Sequence, residues 1–227
     1  MLLSHFKNSI EKHVASQIVH TQTNRLTPHS ARYSSFPGGN GPYSESRQDE
    51  FVRHMMNGKV GTYLEIGAWH PIDTNNTYRL EQDGWTGTSI EIDPQWKNPW
   101  KHYRKNPLII ADATTYGYEE LDHIDYLQLD VEPASQTFAT LEKLFKLKTT
   151  YSVITYETDA YGDPAYKRTG DTSRAAYVQP SRDLILSKGY ILAVPDVRCK
   201  GGRGGPFEDW YINPKFVDAE LIKTWIK

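Results

Sequence analysis

The sequence predicts an α/β fold, a mostly parallel sheet covered by helices on both faces. Short apolar runs alternate with helix-periodic segments along most of the chain, the pattern of buried strands joined by crossovers. Those runs end in glycine or in acidic residues, where a parallel sheet presents its ligand-binding edge. A length of 227 residues suits one substantial core with a modest extension, and 38% hydrophobic with 24% charged residues belongs to an ordered chain.

The elements follow in order. From about Gln48, the residues Phe51, Val52, Met55 and Met56 share one helical face ahead of Gly61. Strands are expected at 62–66, 88–92, 108–111, 124–129 and 151–156. A helix is expected over 133–146, because Pro133 suits a first helical turn and Ala134, Phe138, Leu141 and Phe145 recur at helical spacing. Another covers 181–188, with Ser181 as its N-cap and Gly189 as its stop. A strand at 190–194 follows, and 210–212 then pairs with it as an antiparallel edge across a Gly-rich loop. No internal repeat is present.

Ahead of this, Leu3, Phe6, Ile10, Val14 and Ile18 keep helical spacing, but Lys7, Glu11 and Lys12 interrupt it. A signal peptide and a membrane span both need an uninterrupted apolar stretch, so neither is expected. Residues 34–43 (SSFPGGNGPY) concentrate loop formers. Residues 1–45 therefore read as a helical extension and a Gly/Pro/Ser-rich linker, and 46–227 as the domain that carries the chemistry.

With 26 basic against 28 acidic residues the net charge is −2, which leaves no electrostatic footprint for nucleic acid. The single cysteine, Cys199, excludes an internal disulfide framework and a multi-cysteine zinc site. A cytoplasmic location is the matching expectation, with no membrane partner.

The chemistry gathers at strand ends. The first strand closes on Glu65-Ile66-Gly67-Ala68, where a glycine lets backbone approach a ligand. The second ends at Glu91, 24 positions after Gly67, near the spacing at which a carboxylate accepts both hydroxyls of a ribose. The Gly-x-Gly-x-x-Gly loop that cradles a diphosphate is absent, since Ala68 and Pro71 flank Trp69-His70 in its place. A nucleoside ligand without phosphates does not need that loop. The third strand runs into Asp112-Ala113, where an acid can accept from an adenine amino group beside a small residue. The fourth and fifth end in Asp130-Val131-Glu132 and Glu157-Thr158-Asp159, and such clustered acids either shift one another's pKa values or share a hard cation.

The succession GTYLEIGAWHPIDTNNTYRLEQDGWTGTSIEIDP, HIDYLQLDVEPA and EDWYIN, led in by RQDEFV, resembles the FkbM family of S-adenosylmethionine-dependent methyltransferases over roughly residues 48–213. The resemblance implies a Rossmann-like class I methyltransferase sheet of seven strands, mostly parallel with an antiparallel last strand. It implies S-adenosylmethionine as methyl donor and O-methylation of a saccharide, glycan or similar hydroxylated metabolite. By position, Glu65, Gly67 and Ala68 match the donor-binding first motif, and Asn76 the polar residue heading the next helix. Glu91 matches the ribose acid, Asp112 and Ala113 the adenine pair, and Asp130 the acid near the methionine end. Two departures stand out: Pro133 replaces a common glycine, and Trp69-His70 sits at a variable place.

Methyl transfer to oxygen is an in-line displacement that needs alignment and removal of a proton. Asp130 and Glu157 are the expected base and orienter, or, with Asp159, ligands for a divalent ion such as Mg or Mn that acidifies the hydroxyl. His70 is a further candidate base. The loop at 198–205 (RCKGGRGG) suits a lid or an anionic contact, and Trp100 or Trp210 a stacking surface for sugar rings. Large aromatics also serve subunit contacts, which leaves a homo-oligomer open. Two other classes compete: a nicotinamide- or nucleotide-sugar-dependent enzyme on a related sheet, and a binding module that keeps the fold without turnover.

Overall fold

Alternation within single strands decides which side of the sheet each residue serves. In the segment Trp210-Tyr211-Ile212, the first and third side chains join a cluster with Phe51, Met55 and Tyr63, and Tyr211 joins an opposite one with Leu127, Leu141 and Ile185. The sheet is thus buried on both faces, as the near-continuous apolar runs require.

The computed structural model describes residues 43–160, 175–198 and 206–225. Its strands are β1 (Thr62–Ile66), β2 (Thr86–Glu91), β3 (Leu108–Ile110), β4 (His123–Leu129), β5 (Thr150–Glu157), β6 (Ile191–Val197) and β7 (Glu208–Ile212). The helices among the described residues are α1 (Gln48–Met55), α2 (Tyr78–Gln82), α3 (Lys97–Tyr103), α4 (Ala134–Leu144), α5 (Val178–Ser187) and α6 (Glu220–Trp225). One seven-stranded sheet runs in the order β3-β2-β1-β4-β5-β7-β6. All pairs are parallel except those of β7, which is antiparallel to both neighbours. The order reverses between β1 and β4, and at such a switch point the connections leave in opposite directions and open a crevice at the carboxyl ends.

Two expectations need correction. The 210–212 segment is not an edge: β7 is inserted between β5 and β6, and all five of its residues are buried, Glu208 and Asp209 included. The edge is β6, which carries Pro195, a residue with no amide N–H to give to a further strand. The expected N-cap Ser181 lies inside α5, buried, with its hydroxyl donating to the carbonyl of Val178. Gly189 does close that helix region at φ 90°.

The amino-terminal helix, most of the Gly/Pro/Ser-rich linker, Cys199 and nearly all of the 198–205 loop lie outside the described residues. From residue 43 the chain is joined to the domain: the Tyr43 amide and the Ser44 hydroxyl both donate to the buried carboxylate of Asp49 in α1. Among the described residues no helix is long and apolar enough to cross a membrane.

Candidate active site

At the switch point a crevice of about 470 Å³ opens, within the range of roughly 300–1,000 Å³ usual for small-ligand sites. Its floor is the turn after β1. Gly67 holds φ 81°, and a Cβ there would meet the carbonyl oxygen of Asp130 at 1.5 Å, so only glycine lets the β1 and β4 ends come this close. The amides of Gly67 and Ala68 both donate to the carbonyl of Ile90, which ties the turn to β2.

Behind the turn sits a buried polar hub. Glu65 is 1% exposed and accepts from Ser89 and Thr77 at 2.6 and 2.9 Å. Burial pushes its carboxyl up, while Arg104 pulls it back toward the charged form. Arg104 donates to Glu81, Asn75, Thr77, the Tyr63 hydroxyl and the carbonyl of Pro71, all within 2.8–3.2 Å. Asn75 accepts from the Thr77 and Tyr78 amides at the start of α2 and donates to the carbonyl of Ala68. The resemblance implies its neighbour Asn76 as the polar residue heading this helix. The Asn-Asn pair just before Thr77-Tyr78 was the available signal.

Asn76 itself lines the crevice, 8% exposed, with its Oδ1 buried and lacking a partner among the described residues. Glu91 lies at the same rim: its carboxylate accepts the amides of Trp69 and Asp93, both at 2.8 Å, which fixes it with lone pairs left over. Asp112 and Ala113 form the next wall. Asp112 Oδ1 accepts from the Thr114 hydroxyl and amide, and these bonds hold the carboxyl below its ordinary range. Around Glu91 the rim is apolar, with Trp69 63% and Ile92 64% exposed.

The opposite wall is acidic. Asp130, at the end of β4, hydrogen bonds Glu157 at the end of β5, and Glu157 also bonds Asp159. Burial pushes Asp130 up to about 6 and Glu157 well above the usual carboxylate range, the second effect reinforced by the charge of Asp130. Glu208, which pairs in register with Glu157, was missed from sequence. It is 3% exposed, accepts from Gln48 and Trp210, and burial pushes it up to about 8. Its signal was an acid opening the otherwise aromatic EDWYIN run. In all, nine carboxyl-bearing residues line the crevice, and none of the described lining residues is Lys, Arg or His.

The structure therefore brings Glu65, Gly67, Ala68, Asn76, Glu91, Asp112, Ala113, Asp130 and Glu157 to one crevice. It does not bring His70 there: the ring Nδ1 accepts the Ile72 and Asp73 amides and the ring packs T-shaped with Trp96. Nor do Asp130, Glu157 and Asp159 form a metal-ligating trio, since no three such groups among the described residues are disposed to hold an ion. Trp100 and Trp210 are core residues at 2% and 1% exposure, unable to stack on an acceptor.

No protein-family model matches the sequence, and neither does any curated protein. Solved structures do resemble it. The N-methyltransferase NodS from Bradyrhizobium japonicum WM9 matches with TM-score 0.51 and 16% identity, over 77% of this chain and 98% of that one. The O-methyltransferase from Bacillus cereus, in complex with SAH, gives 0.52 and 13%, over 90% and 91%. Magnesium protoporphyrin IX methyltransferase from Synechocystis PCC 6803, with bound SAH, gives 0.51 and 14%, over 74% and 82%. The chain has the class I methyltransferase fold, a seven-stranded Rossmann-like sheet whose inserted β7 runs against its neighbours.

Proposed function

We propose that this protein is an S-adenosylmethionine-dependent methyltransferase acting on a hydroxyl of a saccharide or similar hydroxylated acceptor. The observation that carries the reading is the charge of the crevice: of its nine carboxyl-bearing residues Glu157 and Glu208 are held protonated at neutral pH by burial, while Glu91, Asp112 and Asp130 line it as acids, and no basic residue stands among the described lining residues. Such a lining favours a ligand bearing a sulfonium and an ammonium, and repels the diphosphate of a nicotinamide or nucleotide-sugar cofactor.

The residues present fit the donor. Glu91 has lone pairs for two ribose hydroxyls, Asp112 beside the small Ala113 suits an adenine edge, and the unpartnered Oδ1 of Asn76 is an acceptor for an ammonium. Glu65, Gly67 and Ala68 shape the floor beneath them. When bound, the donor supplies an electrophilic methyl group on a positively charged sulfur. Asp130, at about 6, is ionised for the most part at neutral pH and takes the acceptor's hydroxyl proton on a carboxylate oxygen, while Glu157 orients that carboxylate by its hydrogen bond. The resemblance to FkbM proteins supports oxygen as the methylated atom.

Incubation with radiolabelled donor and a panel of glycans and hydroxylated small molecules tests the reading. Label transferred to a hydroxyl, and lost in Asp130→Ala/Glu157→Ala, supports it; binding of S-adenosylhomocysteine with no transfer to any acceptor leaves only a binding module.

A further inference from the structure

The two most exposed large hydrophobic residues among those described, Trp69 and Ile92, flank Glu91 at the rim of the crevice. Trp69 stands out in a second way, as the one aromatic among the described non-glycine residues with positive φ. Its φ is 51°, in the left-handed region where a bulky side chain is strained and where glycine is at ease. The conformation is held on its amino-terminal side, where Glu91 accepts the Trp69 amide at 2.8 Å and the Ala68 amide donates to the carbonyl of Ile90. The indole lies 5.7 Å, centroid to centroid, from that of Trp96, a further lining residue, and Trp96 makes a T-shaped contact with the His70 ring at a centroid separation of 5.1 Å. His70 is itself locked by its bonds to the Ile72 and Asp73 amides. An isolated exposed hydrophobic needs no explanation, but a strained and buttressed one at the mouth of a ligand crevice does.

We infer that Trp69 and Trp96 form an aromatic clasp that stacks on the nucleoside of the donor and covers it from water. The inference rests on the donor reading above. The occupant follows from position, since the carboxylate that would hold the ribose is the one that holds the Trp69 backbone. A flat purine offers the face that an indole pair needs, and stacking is insensitive to the pattern of ring substituents.

Calorimetric titration with S-adenosylhomocysteine and with adenosine tests the clasp in the wild type, Trp69→Gly and Trp69→Phe. Trp69→Gly relieves the strained backbone, so its melting temperature without ligand should equal or exceed the wild type's. Both ligands should nevertheless bind it at least about fivefold more weakly, and Trp69→Phe should recover most of that loss. Wild-type affinity for both ligands in Trp69→Gly would overturn the clasp and leave the donor reading standing. A wild type that binds neither ligand would overturn the donor reading and the clasp with it.

Discussion

The carbonyl oxygen of Asp130 occupies the space a side chain on Gly67 would need, at 1.5 Å from the position of a Cβ. The closeness of β1 and β4 at the crevice therefore depends on the absence of a single methyl group. In Gly67→Ala the β4 end must move, and the φ of 81° adds backbone strain. A stability loss of more than about 1 kcal/mol is expected in urea unfolding, with donor affinity falling further than the partial unfolding explains. Unchanged stability and affinity would show that the turn has room the geometry denies it.

Glu208 makes stability depend on pH in a defined direction. Its carboxyl rises on folding from an ordinary 4.5 to about 8, chiefly through burial, so the folded state holds its proton more tightly than the unfolded chain. The group destabilises the fold progressively as pH rises from 4.5 to about 8 and has no such effect below 4.5. Glu208→Gln keeps an oxygen for Gln48 and Trp210 and removes the charge. Melting temperatures should coincide near pH 4.5 and favour the variant near pH 8; equal values throughout would refute the burial argument.

Asp130 sets the expected pH profile of turnover. Burial raises it to about 6, so methyl transfer should climb through that pH as the carboxylate ionises. Asp130→Asn should flatten the climb and lower kcat by about 10²- to 10⁴-fold, the range typical for a general base. An unaltered profile in the variant would take the proton-accepting role from Asp130.

Arg104 is the one cation in the hub beneath the crevice, its side chain wholly buried against Glu81 and within reach of the charge on Glu65. Arg104→Met strands both acids, and the expected loss is about 3–5 kcal/mol in urea unfolding. Adding Glu81→Gln should recover part of it, because one of the stranded charges is then gone. A loss below about 1 kcal/mol would mean the pair is as weak as a surface one.

The sheet was legible because its strands repeat one pattern: β1, β4 and β5 are apolar runs closing on Gly67, Asp130 and Glu157, and a parallel sheet sends all such ends to one edge. The helix over α4 was legible for the same reason, its buried face recurring at 3.6-residue spacing. The place of β7 was not, because pairing partners of an antiparallel insertion are set by long-range contacts rather than by local alternation. Glu208 was hidden with it, and so was the burial of Trp210, which depends on which face of an inner strand it occupies. Arg104 and Asn75 escaped because a buried hub is assembled from β1, α2 and the end of α3, distant in sequence and adjacent only after folding.

On the donor reading, the acidic crevice at the β1 and β4 ends takes an adenosyl ligand without phosphates. Calorimetric titration of the wild type and of Glu91→Ala with S-adenosylhomocysteine, and of the wild type with NAD, measures that selectivity. The expected result is saturable one-to-one binding of S-adenosylhomocysteine, weakened at least tenfold (about 1.4 kcal/mol) in Glu91→Ala, and no binding of NAD. Binding of NAD in preference to S-adenosylhomocysteine, or equal affinity of wild type and Glu91→Ala, would contradict it.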